Sequence, residues 1–355
     1  MNKKQWALVV IALVAALTVP LGVRIAVANT FAFDEQRVSI PVTDALAAGG
    51  TAADAHTGGR LDAVLTTPKG TTGRHGLVVF VHGDGAANAS RDDAYRPLWE
   101  AFAKAGYATL AWNKAGVGGA PGNWLDQSLA DRGAEVAAAL DWARTRPEID
   151  PARMGAWGVS QGGWVLPPIA AKRPDLRFLV LVGAAVNWLR QGGFNLRSDL
   201  RDASDQERQQ VLARRAANVA LLERGATYRE YLESKVDGEP MSEDRYGFVL
   251  RNFRADATAD IHRIGVPTLL LLGSADRNVD TAETARVYAA QMRPGLLTEQ
   301  TFPGATHSLT RDDIEYRSTD PRVIAQAVVA PRSIYAPGYL DRLTAFAEQW
   351  RAVTE

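Results

Sequence analysis

The stretch Met154–Trp164 contains the feature that constrains this chain most, the pentapeptide Gly158–Gly162 with the pattern G-x-S-x-G. An apolar run precedes the pentapeptide, and a helix-compatible segment, Gln161–Lys172, follows. A strand–turn–helix of this kind forces its central serine into a tight turn, and the glycines on either side relieve the crowding. The hydroxyl of Ser160 is then exposed at the carboxyl edge of a sheet, and the next helix directs its amino terminus at it. The pattern predicts Ser160 as a nucleophile.

The segments around this turn alternate between buried strands and helices. Because the chain contains 31 glycines, a G-x-S-x-G pattern arises easily by chance, and this context strengthens the prediction. Two weakly alternating stretches within Phe31–Pro68 predict antiparallel edge strands, and Pro337–Arg351 predicts a closing helix. Apolar segments predict buried strands at Leu77–Val81, Ala108–Trp112, Met154–Trp157, Phe178–Val182 and Pro267–Leu272. Leu296–Phe302 is expected to be the last strand. The alternation predicts the α/β class, with a mostly parallel, doubly wound sheet covered on both faces.

The segment 187–263 breaks this alternation, because it is charged, favours helix and contains no buried-strand pattern. We expect it to be a helical cap inserted into an α/β core formed by residues 31–186 and 264–355. Insertions at the catalytic edge of such a sheet commonly shape the substrate pocket, so the cap is predicted to be a lid. The alternative is a surface excursion without a role.

The chain also offers partners for a serine nucleophile. A serine hydroxyl needs a base to take its proton, and the base needs an acid to fix its tautomer. On this architecture the order along the chain is serine, acid, histidine. Asp276 follows the strand ending at Leu272, and His307 follows the last predicted strand. Asp280 is a rival acid, but Asp276 lies nearer the strand end, so the predicted triad is Ser160, Asp276 and His307.

Two backbone N–H groups are expected to stabilise the oxyanion that develops during attack on a carbonyl. One is the N–H of Gln161, and the other is the N–H of Asp84, with Gly83 as the neighbouring alternative. His82, in the same loop, is predicted to be a structural buttress. A carboxylate beside an oxyanion would oppose it, so the side chain of Asp84 is expected to point away or to pair with a cation.

With these residues in place, the chain resembles the α/β-hydrolase superfamily over roughly Leu61–Trp350, and more narrowly the bacterial serine esterases and acyl-aminoacyl-peptidase-like hydrolases. The matching motifs are His82-Gly-Asp-Gly85, Asn113-Lys-Ala-Gly-Val-Gly118, Gly158–Gly163, Gly273–Asp276 and Gly304–His307. The second motif departs from the family pattern, which usually has Asp where Asn113 stands and Arg where Ala115 stands. The resemblance implies an α/β-hydrolase fold with an inserted helical cap. The replacement of the usual Asp and Arg by Asn113 and Ala115 is expected to change the contacts that support the loop Asn113–Gly118.

The function expected from these features is hydrolysis of carboxylic esters through an acyl-enzyme on Ser160. This chemistry requires no metal ion and no organic cofactor, and its substrate is a small-molecule ester or short acyl compound. An amidase or peptidase would use the same triad, although the chain has no β-propeller of the kind that restricts many such peptidases to short peptides. A non-catalytic binding protein on the same fold is a further alternative. An apolar acyl pocket could be lined by the aromatic residues Trp124, Trp164, Trp188, Phe194 and Tyr231.

Charge and cysteine content exclude other classes. The 40 basic side chains balance 40 acidic ones, so no charge excess favours nucleic acid. The absence of cysteine excludes disulfides, thiol catalysis and cysteine-ligated metal. His75 lies in polar surroundings and is expected to be exposed.

Residues 1–28 have the parts of a targeting segment. Lys3 and Lys4 precede the uncharged apolar stretch Trp6–Val23, and a small-x-small pattern ends at Ala28. Cleavage after Ala28 would make this segment a secretory signal, and the alternative is an uncleaved membrane anchor. Both readings place the remaining chain outside the cytoplasm, either secreted or anchored.

Overall fold

The fold is built on one sheet, seen in a computed structural model that describes residues 25–42, 59–317 and 319–351. The described strands are β1 (Phe33–Pro41), β2 (Arg60–Pro68), β3 (His75–Val81), β4 (Tyr107–Trp112), β5 (Ile149–Val159), β6 (Leu176–Val182), β7 (Thr268–Gly273) and β8 (Leu297–Phe302). Their order across the sheet is β1-β2-β4-β3-β5-β6-β7-β8. The β1–β2 and β2–β4 pairs are antiparallel, and the other pairs are parallel. The predicted α/β fold class is confirmed.

Helices cover both faces of this sheet. The described helices are α1 (Arg96–Lys104), α2 (Leu129–Arg144), α3 (Gly162–Lys172), α4 (Trp188–Asp199), α5 (Asp205–Glu223), α6 (Tyr228–Ser234), α7 (Glu243–Asn252), α8 (Thr258–Arg263), α9 (Thr281–Gln291), α10 (Asp312–Glu315), α11 (Pro321–Val329) and α12 (Tyr339–Glu348). Two short 3₁₀ helices lie at Trp124–Asp126 and Pro331–Ile334. In the described part of the chain, no helix is both long and apolar enough to cross a membrane.

The inner parallel strands are apolar on both sides because each side faces its own layer of helices, whereas the edge strand β8 is largely exposed. In β3, Leu77 and Val79 join one buried cluster, which includes residues of α2, α3, α8 and α9. Val78 and Phe80 point the other way, into a cluster with residues of α1 and α12. The two-residue period of a strand divides a continuous apolar run in this way.

The stretch between β6 and β7 forms the helices α4 to α8. Tyr231 of α6 and Tyr246 of α7 stack at 4.7 Å within a small apolar cluster of their own. Three of these helices begin at serine or threonine side chains that accept a hydrogen bond from a backbone N–H of the first turn, namely Ser204, Thr227 and Ser242. These caps explain why helices form in a stretch with little apolar periodicity.

Two expectations about local structure need correction. His75 is buried in β3 rather than exposed, and burial lowers its pKa. The chain between β8 and α12 contains α10 and α11, which the sequence reading did not resolve. The predicted targeting stretch falls mainly on residues 1–24, which lie outside the described residues.

Candidate active site

Ser160 occupies the sharp turn between β5 and α3. Its φ angle is 55°, in a region that non-glycine residues rarely adopt. The turn is held by backbone hydrogen bonds, from Ser160 N–H to the Val182 oxygen at 2.9 Å and from Gly163 N–H to the Ser160 oxygen at 2.8 Å. A Cβ on Gly163 would lie 2.7 Å from the Ala185 oxygen, and one on Gly158 would lie 2.7 Å from a Leu166 methyl carbon. Glycine is therefore a steric requirement at position 163, where the contact is with backbone, whereas a Cβ on Gly162 would come no closer than 3.5 Å to its neighbours.

His307 and Asp276 form a buried pair at the same edge of the sheet. The distance from His307 Nδ1 to Asp276 Oδ2 is 2.8 Å, and the Asp276 side chain is fully buried. The other carboxylate oxygen accepts hydrogen bonds from the backbone N–H groups of Asn278, at 2.7 Å, and Val279, at 2.9 Å. Asp280, the rival acid, instead caps α9 by accepting from Glu283 N–H. The structure therefore pairs Asp276, and not Asp280, with the histidine.

Close backbone packing sets the position of His307. A Cβ on Gly273, at the end of β7, would lie 2.2 Å from the Thr306 oxygen. A Cβ on Gly183, after β6, would lie 2.6 Å from the His307 oxygen and 3.0 Å from its Nδ1. The loops that carry the acid and the base can touch only because both positions are glycine.

The electrostatic surroundings of His307 favour a protonated ring. Burial alone would lower its pKa, but the hydrogen bond and charge of Asp276, together with the charge of Glu315, outweigh burial and raise the pKa above its usual value. Glu315 is fixed in turn by the hydroxyls of Thr306 and Thr310. The second ring nitrogen, Nε2, is buried and has no hydrogen-bond partner among the described residues.

Ser160 and His307 border one cavity of about 920 Å³. The wall is largely apolar, and much of it comes from α11 and neighbouring segments, including Val323, Ile324 and Val328. The aromatic residues that the sequence suggested for an acyl pocket do not line this cavity. Trp164 stacks on Trp188 at 5.0 Å outside it.

Two buried cations hold the loop after β3 from behind. Lys114 Nζ donates to the carbonyl oxygens of Gly83, at 2.6 Å, and Gly85, at 2.7 Å, and the side chain of Arg132 donates to the carbonyl oxygen of His82 at 3.0 Å. In a trans peptide the C=O and N–H point in opposite directions. The N–H of Asp84 therefore points away from Lys114. Burial, reinforced by the charge of Arg132, lowers the pKa of Lys114 well below its usual value.

The same loop faces Ser160. A Cβ on Gly83 would lie 3.2 Å from Ser160 Cβ. In the described part of the chain, neither the N–H of Asp84 nor that of Gln161 donates a hydrogen bond. The Gln161 side chain accepts from Arg132 and donates to Asp84 Oδ1 at 3.4 Å. The predicted oxyanion residues thus lie in one hydrogen-bonded group beside the serine.

The carboxylate of Asp84 pairs with a cation, one of the two arrangements that its position predicted. Arg245 of α7 donates to both of its oxygens, at 2.8 and 3.2 Å. Burial opposes the ionised carboxylate, but the hydrogen bond and charge of Arg245 lower the pKa of Asp84 below its usual value. This ion pair joins the inserted helices to the loop beside Ser160.

His82 has the environment of a structural residue. Its Nε2 lies 2.8 Å from the Trp112 oxygen, and its ring stacks on Tyr95. Burial, together with the charge of Lys114, lowers the pKa of His82 to about 3. The ring therefore stays neutral at physiological pH.

The sequence reading missed the supporting roles of Lys114, Arg132 and Arg245. Lys114 lies within the family-like motif Asn113–Gly118, but the sequence analysis predicts no role for it. The signal for Arg132 was a charged residue on the buried side of α2, where Val136 and Leu140 also lie. In the motif that differs from the family pattern, the side-chain oxygen of Asn113 accepts a hydrogen bond from Ala89 N–H at 2.8 Å and so supports the neighbouring loop. No group of three or more His, Asp or Glu side chains in the described ranges could hold a metal ion.

Comparison with known proteins places this arrangement in context. The chain matches uncharacterized proteins of two Mycobacterium tuberculosis strains with 36% identity over 69 residues, which is 19% of this chain. The chain thus spans only 24% of the length of these curated relatives. An esterase of Pyrococcus furiosus has a similar structure, with a TM-score of 0.56 and 15% identity, covering 90% of this chain and 92% of that one.

A second similar structure is DcsB in complex with its substrate analogue. Its TM-score is 0.55 at 14% identity, and the likeness covers 90% of this chain and all of that one. At such identities the likeness shows the α/β-hydrolase fold. A family model described as serine aminopeptidase, S33, matches residues 72–314, which include Ser160, Asp276 and His307. This match spans well over half of the chain, and the chain therefore belongs to the S33 serine aminopeptidase family of α/β-hydrolases.

Proposed function

We propose that this protein is an exported serine hydrolase that cleaves carboxylic esters through Ser160, His307 and Asp276. One observation carries the proposal. A serine in a strained turn and a histidine already bonded to a buried carboxylate border the same apolar cavity. Family membership supports the reaction class, and the name of the Pyrococcus furiosus relative, an esterase, supports the choice of an ester.

The proposed mechanism begins with attack of Ser160 Oγ on the ester carbonyl. His307 Nε2, which has no hydrogen-bond partner among the described residues, accepts the serine proton. Asp276 accepts a hydrogen bond from His307 Nδ1–H, fixes the tautomer and stabilises the imidazolium. The same hydrogen bond and charge of Asp276 outweigh burial and raise the pKa of His307. His307 then protonates the leaving alcohol, and water attacks the acyl-enzyme in the second half of the cycle.

The developing oxyanion is assigned to the N–H groups of Gln161 and Asp84. Both lack a hydrogen-bond acceptor in the described chain, and the Gly83 carbonyl in the peptide before Asp84 is bound by Lys114. Donors fixed before the reaction need no reorganisation when charge develops, which is the main source of such stabilisation. The pairing of Asp84 with Arg245 offsets the carboxylate that would otherwise oppose the oxyanion.

The acyl group is assigned to the apolar cavity. Side chains of Leu98, Ile314, Ile324 and Val328 line it, and burial of each methylene of an acyl chain there contributes about 0.8 kcal/mol. Its volume of about 920 Å³ leaves room for more than an acetyl group. Esters of medium acyl length are therefore expected to be hydrolysed faster than acetates.

An amidase or peptidase is the second candidate, and the family description favours it. The same residues would serve, with an amine in place of the alcohol as leaving group. Comparing kcat/KM for an ester with that for its matched amide separates the two functions. Faster turnover of the amide would refute the ester assignment.

Labelling with a fluorophosphonate, competed by esters of graded acyl length, tests the proposal. Ser160→Ala should abolish both labelling and hydrolysis. Ser308 lines the same cavity, so Ser308→Ala is the matched control and should keep both. Hydrolysis that survives Ser160→Ala would refute the nucleophile assignment, and a catalytically silent wild type would favour a binding protein.

Export is proposed from the pattern of residues 1–28 and is tested separately. The amino terminus of the mature protein, read from the secreted and membrane fractions, decides between cleavage after Ala28 and an uncleaved anchor. Recovery of an intact chain in the cytoplasm would refute both forms.

A further inference from the structure

A second cavity of about 460 Å³ lies beside the first and differs from it in character. The two share His307, Asn278 and Glu315, but Ser160 borders only the first. The lining of the second cavity contains no aliphatic residue, and besides His307 it includes four charged side chains, Asp199, Arg201, Arg277 and Glu315. The first cavity also borders Asp84, Arg91 and Asp92, but most of its lining is aliphatic or aromatic. The active-site histidine thus stands between a mainly apolar space and a polar one.

Given the function proposed above, each cavity would hold one half of an ester, the acyl group in the first cavity and the alcohol in the second. The acyl half becomes bonded to Ser160 and stays in the apolar cavity. When the bond between the acyl carbon and the alcohol oxygen breaks, that oxygen takes its proton from His307. The alcohol therefore leaves on the histidine side, where the polar cavity opens.

Among the charged groups of this cavity, Arg277 is the one available to a ligand. Its guanidinium lies 4.0 Å from the centre of the Tyr316 ring. The ring is held in place because its hydroxyl donates to the Ala275 oxygen at 2.7 Å. In the described ranges, no carboxylate lies within 4.0 Å of the guanidinium of Arg277, and its side chain donates no hydrogen bond.

The other charged groups already have contacts or face solvent. Glu315 accepts from two threonine hydroxyls. Arg201 pairs with Asp202 at 3.3 Å and donates to the Ser198 oxygen at 3.1 Å. Asp199 is exposed. A half-buried arginine with free donors next to these groups matches the planar geometry of an oxyacid anion.

We propose that the polar cavity is a leaving-group subsite that binds a carboxylate or phosphate on the alcohol through Arg277. The substrate class is then an ester between an apolar acyl chain and a hydroxyacid or a phosphorylated alcohol. Hydrolysis would release a fatty or other apolar acid and a small anionic alcohol.

The test uses four hexanoyl esters, made with 3-hydroxypropanoate, 3-hydroxypropyl phosphate, the neutral 3-hydroxypropanamide and the cationic 3-aminopropanol. The readout is the ratio of kcat/KM between each anionic ester and the neutral one, compared between wild type and Arg277→Gln. Intrinsic differences in ester reactivity cancel in this comparison. Loss of one charge-assisted contact should lower the ratio roughly tenfold, mainly through KM.

Two further variants separate binding from structural damage. Arg277→Lys keeps the charge but loses the fork geometry, and should restore part of the ratio. Arg229→Gln removes an arginine of α6 whose side chain is 87% exposed and lines neither cavity, and should leave the ratio unchanged. The carboxylate and phosphate arms show which anion the site prefers.

Two results would overturn the subsite. Equal effects of Arg277→Gln on anionic and neutral esters would mean that Arg277 supports the loop without binding the ligand. A preference of the wild type for the cationic ester would mean that the carboxylates set the specificity. Both leave ester hydrolysis intact, whereas absence of hydrolysis of all four esters, with no labelling of Ser160, would refute the proposed function itself.

Discussion

Replacing Lys114 with methionine tests how the oxyanion loop, the segment His82–Gly85 after β3 that carries the proposed donor Asp84, is held in place. Lys114 is almost fully buried, and its ammonium bridges the carbonyls of Gly83 and Gly85. Methionine has a similar length and no donor. Each carbonyl left without a partner costs about 1–3 kcal/mol, so the loop is expected to rotate its peptides toward other donors. Rotation of the Gly83 carbonyl also turns the N–H of Asp84 away from its present direction.

The expected loss of activity follows from this rotation. Deleting one oxyanion donor outright costs about 10²–10³ in kcat. Lys114→Met loosens the donor without deleting it, so we expect kcat to fall by roughly tenfold to a hundredfold, which is less than the loss for outright deletion. KM should change little, because the donor acts on charge that develops only in the transition state.

Steady-state kinetics on a p-nitrophenyl ester measures kcat and KM, and inhibition by a boronic acid measures binding of a tetrahedral adduct. The affinity for the boronic acid should fall in parallel with kcat. Lys104→Met is the control, since the Lys104 side chain is 57% exposed and contacts Glu100 at 3.6 Å, a carboxylate that Arg332 also binds. Unchanged kcat in Lys114→Met, or a fall in kcat with full affinity for the boronic acid, would refute the reasoning.

Three further perturbations have defined outcomes. His307 must be neutral to act as base and its pKa is raised, so the acidic limb of kcat/KM should titrate above the ordinary histidine value of about 6.5, and a lower midpoint in a pH–rate profile would contradict this. Gly163→Ala places a Cβ against the Ala185 oxygen and should destabilise the fold by about 1–3 kcal/mol in urea unfolding, and an unchanged midpoint would contradict the steric argument. Arg245→Gln breaks a partly exposed ion pair, so stability should change by less than about 1 kcal/mol while kcat falls. Adding Asp84→Asn should restore part of that kcat, and no recovery would show that the charge of Asp84 is not the cause.

The architecture could be predicted because its determinants are local in the sequence. The central strands contain apolar segments, and the turn that carries Ser160 has glycines at recognisable spacing around it. Asp276 and His307 each follow the end of a strand, and the carboxyl ends of parallel strands lie at one edge. The sequence therefore predicts, without knowledge of side-chain packing, that Ser160, Asp276 and His307 lie at the same edge of the sheet.

The supporting contacts could not be predicted because they join residues that are distant in the chain. Arg245 and Asp84 are separated by 161 positions, and nothing near either residue indicates the other. The apolar wall contributed by α11 was missed for a related reason. Ile324 and Val328 line a cavity whose other lining residues, such as Leu98 and Trp157, come from distant parts of the chain.

The charges around the oxyanion loop connect the inserted helices to the proposed chemistry. Lys114 and Arg132 lie behind the loop and contribute positive potential, whereas the carboxylate of Asp84 opposes them. The guanidinium of Arg245 offsets that carboxylate only while α7 lies against the loop. Displacement of α7 would leave an uncompensated negative charge on the side chain of the same residue whose backbone N–H is a proposed oxyanion donor. Packing of α7 against the loop should therefore strengthen the stabilisation of the transition state, and displacement of α7 should weaken it. Asp84 is then the residue through which movement of the inserted helices would change the reaction rate.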